Sequence, residues 1–183
     1  MPMRTPRDGS LPVFWAPSYC AAGQAGETFR KSPEVAERIQ ARLATLVDLI
    51  EPDPITLAEL HLVHDPAYVT RTLAGDPALA ASLLASTGGV RDALASAIRG
   101  GLAGSLSSGL HHARRGSYAG FCHFNGLALA ARLAVGQLGL ATVGILDVDA
   151  HCGGGTHSLV GDDAGIRIAD VRVNGYDPWE RTD

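Results

Sequence analysis

An apolar run that ends in acidic residues constrains the fold of this chain more than any other feature. Residues Thr142-Val-Gly-Ile-Leu-Asp-Val148 are mostly apolar and are bounded by glycine on one side and by charge on the other. Such a run is typical of a central parallel strand that is covered on both faces. Because parallel strands need crossover connections, which are usually helices, the run predicts an α/β protein.

Strand and helix patterns alternate along the rest of the chain. Strands are predicted over residues 12–15, 103–108, 142–148 and 166–173. Helices are predicted over residues 33–50, 55–64, 66–73 and 125–138, with another that opens at a turn over 86–89 and runs to residue 98. This order predicts βαβ units in an open parallel sheet flanked by helices, with right-handed crossovers.

The length and charge of the chain narrow its class. Its 183 residues fit one domain, 1–183, and a net charge of -4 without clustered arginines gives no footprint for nucleic acid. The apolar stretch over residues 127–135 is interrupted by Arg132 and is too short to cross a membrane. The first residues contain no apolar core of a secretory signal, so we expect a cytoplasmic protein that binds neither nucleic acid nor membrane.

The three cysteines do not predict a disulfide framework. Cys20, Cys122 and Cys152 are odd in number and far apart, without a paired C-x-x-C spacing. We expect reduced thiols, with Cys122 and Cys152 as small buried residues rather than nucleophiles.

The segment Asp147-Val-Asp-Ala-His151 is the first candidate site. Side chains alternate along a strand, so Asp147, Asp149 and His151 point the same way if the extended geometry persists. Buried carboxylates are costly unless they are paired or bound to a cation, and carboxylate with imidazole is a donor set that suits zinc. The alternative is that the carboxylates cap the following glycine turn and that the histidine is structural.

The adjacent pair His111-His112 is the second candidate. Imidazoles titrate near neutral pH, so one could take a proton from a metal-activated water while the other stabilises the tetrahedral intermediate. An isolated pair of histidines is more often incidental, and that alternative stays open for these residues taken alone.

Taken together, these segments resemble the N-terminal half of the histone deacetylase family. The resemblance lies in Gly109-Leu-His-His-Ala113, Gly120-Phe-Cys-His-Phe-Asn125 and Ile145-Leu-Asp-Val-Asp-Ala-His-Cys-Gly-Gly-Gly-Thr156, in the family's order and spacing. Fainter similarity covers Ser32-Pro33-Glu34, His64-Asp-Pro-Ala-Tyr68 and Gly88-Gly89. The resemblance to this family implies a three-layer arginase/deacetylase-like α/β fold, incomplete at the C-terminus.

The resemblance also implies an activity and roles for individual residues. The activity is zinc-dependent hydrolysis of an acetyl amide on lysine, a polyamine or a related amine. Asp149 and His151 would bind zinc, and His111 and His112 would be catalytic, with Asp147 hydrogen-bonded to His111. Gly120 and Phe121 would line the substrate channel, although Phe121 could equally be a core residue. A potassium ion would be held with the help of Asp147 and Asp170.

Several positions depart from the family pattern. The family takes a third zinc ligand and a transition-state tyrosine from sequence further along, and Tyr176 and Asp177 come too soon after the last strand for those roles. Gly154 stands where the family usually has an aspartate or asparagine that orients the second histidine, so we expect His112 to lack that partner. Cys152 replaces a common histidine or glutamine.

Two alternatives remain open. The related ureohydrolases bind two manganese ions and need an aspartate at the position of Gly153, so we expect one zinc ion here instead. The chain could be a deacetylase completed by further sequence or by a second copy in a homo-oligomer. It could otherwise be a non-catalytic relative that binds a metal or an acylated ligand without turnover.

Overall fold

The computed structural model describes residues 6–20, 27–107 and 110–179. The strands are β1 Leu11–Phe14, β2 Val47–Ile50, β3 Gly104–Ser105, β4 Val143–Asp147 and β5 Ile166–Asp170. The α-helices are α1 Glu27–Arg42, α2 Leu57–Leu60, α3 Pro66–Leu73, α4 Pro77–Gly100, α5 Gly126–Gly136 and α6 Gly154–Val160, and a 3-10 turn covers Pro17–Tyr19.

The chain divides into two compact units, each with its own sheet. The first unit comprises residues 1–56 and 73–108, and the second comprises residues 57–72 and 109–183. All three strand pairs among the described residues are parallel, which confirms the α/β prediction. The prediction of one domain stays a prediction. No helix in the described ranges is long and apolar enough to span a membrane.

The first unit is built on a sheet of order β2-β1-β3. Strand β1 pairs along its length with β2, from Leu11 opposite Val47 to Phe14 opposite Ile50. Both Phe14 and Ile50 are buried, and α4 packs against β1. Burial of these apolar side chains stabilises the unit.

The predicted helix over residues 33–50 is wrong at both ends. Helix α1 begins at Glu27, contains Pro33 and ends at Arg42. Val47–Ile50 is strand β2, whose backbone pairs with β1, and Trp15 N–H donates to the Ile50 carbonyl at 2.9 Å. Periodicity cannot distinguish a short apolar strand from the end of a helix, and pairing with a distant strand decides the outcome here.

The turn predicted over residues 86–89 is also wrong, because these residues lie inside α4. The helix begins earlier, where the Asp76 side chain accepts a hydrogen bond from Ala78 N–H at 2.9 Å. A Cβ on Gly88 would meet the Asp53 carbonyl oxygen, and one on Gly89 would meet the Tyr19 hydroxyl. The two glycines therefore allow close packing of the helix rather than a turn.

The second unit contains a βαβ arrangement in which α6 connects β4 to β5. The two strands pair in parallel, with Asp147 opposite Asp170 at their carboxyl ends. Helix α5 packs against β4 and α6. The prediction that β4 is covered on both faces is wrong for the described residues, since Leu146 is 70% exposed.

Candidate active site

The candidate site lies at the carboxyl ends of β4 and β5, within the second unit. Asp147 is the last residue of β4, and Asp149 and His151 follow it in the loop that leads to α6. The loop that carries His111 and His112 precedes α5. In parallel α/β sheets, ligands bind at this edge.

Asn125 holds the histidine loop against the start of α5. Its Oδ1 accepts a hydrogen bond from Ala128 N–H at 2.9 Å, which makes Asn125 the N-cap of the helix. Its Nδ2 donates to the carbonyl oxygens of His111 at 3.2 Å and Ala113 at 3.1 Å. Asn125 is fully buried, so the loop is fixed by a side chain with little freedom. Sequence reasoning missed this role, although asparagine before a helix is a known capping signal.

A second buried residue, His64, supports the same loop. Its Nε2 accepts a hydrogen bond from Asn125 N–H at 2.9 Å, and its Nδ1 lies 2.9 Å from the Arg114 carbonyl oxygen. These partners require a neutral ring with the proton on Nδ1. Burial lowers the pKa of His64 to about 4. Sequence reasoning gave His64 no role, because a histidine by itself does not reveal its burial.

The first histidine of the pair is held by Asp147. Nδ1 of His111 lies 2.6 Å from Oδ2 of Asp147, and both residues are buried. The family resemblance predicts this contact. Because a carboxylate only accepts hydrogen bonds, the proton lies on Nδ1, and the Nε2 lone pair of a neutral ring faces the site. His111 Nε2 lies 3.7 Å from Asp149 Oδ1.

The second histidine has a carboxylate partner, so the expectation that His112 lacks one is wrong. Nδ1 of His112 lies 2.9 Å from Oδ2 of Asp177. Burial lowers the pKa of His112, and the hydrogen bond to Asp177 opposes that shift. The rings of His111 and His112 are 3.9 Å apart between centroids. The two imidazoles therefore form one buried pair, and each has its own carboxylate.

The two predicted zinc ligands lie side by side. Oδ1 of Asp149 is 2.9 Å from Nδ1 of His151, and the side chains are 51% and 45% exposed, respectively. Burial raises the pKa of Asp149, but hydrogen bonds from the backbone and ring of His151 outweigh it, so the net shift is downward. Within the described ranges, no group of three or more histidine, cysteine, aspartate or glutamate side chains is arranged to hold a metal.

The Tyr176 ring borders these histidines. It lies edge-on to His112 at 5.0 Å and to His151 at 5.5 Å between centroids. The segment after β5 thus reaches the site, with Tyr176 beside the histidines and Asp177 on His112 Nδ1. Sequence reasoning did not place Tyr176 and Asp177 at the site. Both come soon after the end of β5, and the geometry of the loop cannot be read from the sequence.

Gly120, which packs against the His112 ring, and the adjacent Phe121 have an unusual backbone conformation. Gly120 has φ +51°, and a Cβ there would meet the His112 ring, 2.9 Å from Cγ. Phe121 has φ +64° and is 67% exposed, so the alternative of core packing is wrong. The other described non-glycine residues with positive φ are Leu110 and Asp177, also in this region. Such backbone strain tends to cluster at functional sites.

Asp170 lies beneath the site at the end of β5. Its Oδ2 accepts a hydrogen bond from Gly153 N–H at 2.7 Å, whereas its buried Oδ1 has no hydrogen-bond partner among the described residues. A Cβ on Gly153 would lie 2.8 Å from Asp147 Oδ2, so the packing excludes a side chain there.

Cys122 and Cys152 are buried, as predicted, and burial raises the pKa of both thiols.

The second unit is thus a parallel α/β unit with carboxylates and histidines at its strand ends, and comparison with known families identifies the family to which it belongs. Residues 72–172 match the family described as the histone deacetylase domain, which is more than half of the chain. The chain therefore belongs to the histone deacetylase family. Its parallel sheets flanked by helices are consistent with part of an arginase/deacetylase-like fold.

Individual relatives agree with this family. The chain is 36% identical to an uncharacterized protein of Picosynechococcus over 58% of its own length and 40% of that protein. It is 30% identical to histone deacetylase 2 of Arabidopsis thaliana over 70% of its length and 30% of the relative. It is 40% identical to mouse polyamine deacetylase HDAC10 over 40% of its own length and 11% of that protein. The matches thus span less than half of each of these relatives.

Proposed function

We propose that this chain carries part of a zinc-dependent deacetylase site that hydrolyses an acetyl amide. The observation that supports this most is the arrangement of two buried imidazoles, each with Nδ1 on a carboxylate, beside the exposed pair Asp149 and His151. This arrangement combines groups that move protons with groups that bind a metal.

The donor atoms of Asp149 and His151 suit a shared zinc ion. Ligands about 2.0–2.1 Å from a tetrahedral zinc lie roughly 3.3 Å apart, and these two atoms are 2.9 Å apart. Zinc would take the place of the proton that these two atoms share, and the ring proton of His151 would then be on Nε2. Catalytic zinc usually has three protein ligands, so the pair would supply two of them. Bound there, zinc would supply Lewis acidity for attack on the acyl carbonyl.

The packing around Gly153 favours one metal ion over two. A second ion of the ureohydrolase kind would need a carboxylate at this position. The space is filled by Asp147 and by His111, whose Nδ1 would lie 3.2 Å from a Cβ on Gly153. We therefore propose a single zinc ion.

The two histidines would divide the proton transfers of amide hydrolysis. In each neutral ring the carboxylate holds the proton on Nδ1, which leaves the Nε2 lone pair of His111 and His112 to accept a proton. The lowered pKa of His112 favours the neutral, basic form at pH 7. One ring would take a proton from the attacking water, and the pair would return a proton to the departing amine.

A potassium ion beneath this site is a further part of the proposal. The buried Oδ1 of Asp170 has no hydrogen-bond partner among the described residues, and a buried carboxylate oxygen is costly unless it is paired or bound to a cation. Asp147 is next to it at the end of the paired strand. We propose that both residues help to hold a monovalent cation.

The substrate is proposed as an acylated amine of either of two kinds. One relative is named a histone deacetylase and another a polyamine deacetylase. The exposed Phe121, which follows Gly120, would offer an apolar surface for the methylene chain that acetyl-lysine and acetylated polyamines share.

The experiment is a hydrolysis assay with the purified chain, added zinc, and an acetyl-lysine peptide or an acetylated polyamine. We expect zinc-dependent release of acetate that falls about 100-fold or more in His111→Ala and in His151→Ala. The exposed His61 provides the control, and His61→Ala should retain activity. Zinc binding without hydrolysis would favour the non-catalytic alternative, and hydrolysis that survives His151→Ala would refute the proposal.

A further inference from the structure

The Asp177 carboxylate receives hydrogen bonds from three separate donors. Its Oδ2 accepts from Nδ1 of His112 at 2.9 Å and from Gly155 N–H at 3.2 Å. Its Oδ1 accepts from the guanidinium of Arg114. The side chain is only 7% exposed, so these partners replace water around the charge. The three hydrogen bonds hold the Asp177 carboxylate in this position.

Asp177 also fills the space that a side chain at position 154 would need. A Cβ on Gly154 would lie 2.7 Å from Asp177 Oδ1 and 2.8 Å from its Cγ, and it would meet the Asp177 carbonyl oxygen. Asp177 reaches this position with φ +52°, a left-handed conformation that aspartate tolerates better than most residues. The glycine and the aspartate are therefore structurally complementary.

We propose that Asp177 is the positioning residue of His112. Its carboxylate keeps the His112 proton on Nδ1 and fixes the orientation of the ring, and it does so in place of a side chain at position 154. The functional meaning of this role rests on the proposed use of His112 in hydrolysis. The effect of Asp177 on the tautomer and orientation of the His112 ring can be tested without measuring hydrolysis. Partners of this kind fix the tautomer and orientation of histidines at metal sites.

The three donors explain why the residue is a carboxylate and not an amide. If the oxygen of an asparagine at 177 faced His112 and Gly155 N–H, its NH₂ group would face the NH₂ group of Arg114. In the reversed orientation its NH₂ group would face Gly155 N–H and would force the His112 proton onto Nε2. Either orientation places donor against donor. Removal of the Arg114 donor should therefore allow the asparagine to accept from His112.

The test is long-range ¹H–¹⁵N NMR of the histidine rings in the purified chain at pH 8, with His112 assigned from its loss in His112→Gln. In the wild type, we expect the proton on Nδ1. In Asp177→Asn this pattern should be lost, and in Arg114→Met/Asp177→Asn it should return. Two matched controls, Arg114→Met and the exposed change Asp162→Asn, should keep the wild-type pattern.

Two results would overturn the positioning role. One is a wild-type His112 with its proton on Nε2, which needs no variant to detect. The other is a His112 pattern that stays unchanged in both Asp177→Asn and Asp177→Ala, because alanine offers no acceptor to Nδ1–H. A correct tautomer pattern in a chain that does not hydrolyse acetyl amides would count against the proposed function alone. Zinc-dependent hydrolysis in the wild type, with a His112 pattern that is unaltered in Asp177→Ala, would count against the positioning role alone.

Discussion

The side-chain amide nitrogen of Asn125 lies 3.2 Å from the carbonyl oxygen of His111, and it donates a hydrogen bond there from a fully buried position. The same nitrogen lies 3.1 Å from Thr156 Oγ1, and Thr156 N–H donates to the His111 carbonyl at 2.9 Å. The N-cap residue of α5 and a residue of α6 therefore converge on the backbone of the first histidine. The position of the candidate catalytic loop depends on this buried network.

The first prediction is that Asn125→Ala destabilises the protein by about 2–4 kcal/mol, because it removes a helix cap and the buried amide that donates to the carbonyl groups of His111 and Ala113. Urea unfolding at pH 7 measures the change. The exposed Gln137 at the other end of α5 is the control, and Gln137→Ala should change stability by less than about 0.5 kcal/mol. Equal effects of the two substitutions would show that the network contributes little.

The second prediction concerns pH and His64. Burial holds its pKa at about 4 in the folded state, below the ordinary value of 6.5, so the unfolded chain binds a proton first as the pH falls. The stability from a neutral His64 is fully present above pH 6.5 and is lost as the pH falls toward 4. The loss is on the order of 3 kcal/mol. Unfolding free energies measured between pH 7 and pH 4 test this loss.

The control for this prediction is a second histidine on the same segment. His64→Gln should lower stability at pH 7 and flatten the decline between pH 6.5 and 4, because the group that titrates is gone. His61 is exposed, and His61→Gln should keep the wild-type pH dependence. A decline that is as steep in His64→Gln as in the wild type would mean that other groups cause it.

The third prediction separates steric contact from backbone strain at Gly120. Both Gly120 and Gly139 have positive φ, +51° and +71°, but a Cβ would meet the His112 ring only at Gly120. Gly139→Ala should cost about 1 kcal/mol from conformation alone. Gly120→Ala should cost at least about 1 kcal/mol more and should shift the His112 ring resonances in NMR spectra. Equal costs and unmoved His112 signals would contradict the close packing seen here.

The sequence was most informative about the strand-end motif. The apolar run before Asp147 predicted a parallel strand, which the structure confirms as β4, and the family resemblance predicted the contact between Asp147 and His111. Local patterns of this kind are readable because strand alternation and motif order are written in consecutive residues.

The features that sequence reasoning missed depend on contacts between distant residues. Val47–Ile50 became a strand through pairing with β1, and Gly88 lies inside a helix at a point where a side chain would meet the Asp53 carbonyl. Asp177 reaches His112 from 65 residues away along the chain. The glycine at position 154 suggested a lost interaction, and only the three-dimensional packing shows that another residue occupies its space.

The central claim is that Asp149 and His151 hold one zinc ion beside the histidine pair, and equilibrium dialysis against buffered zinc with elemental analysis tests it most directly. We predict one zinc per chain, bound weakly if only two protein ligands are present, with binding lost in Asp149→Ala and His151→Ala and kept in the exposed control His61→Ala. Two manganese ions per chain, or zinc retained by both variants, would contradict the account.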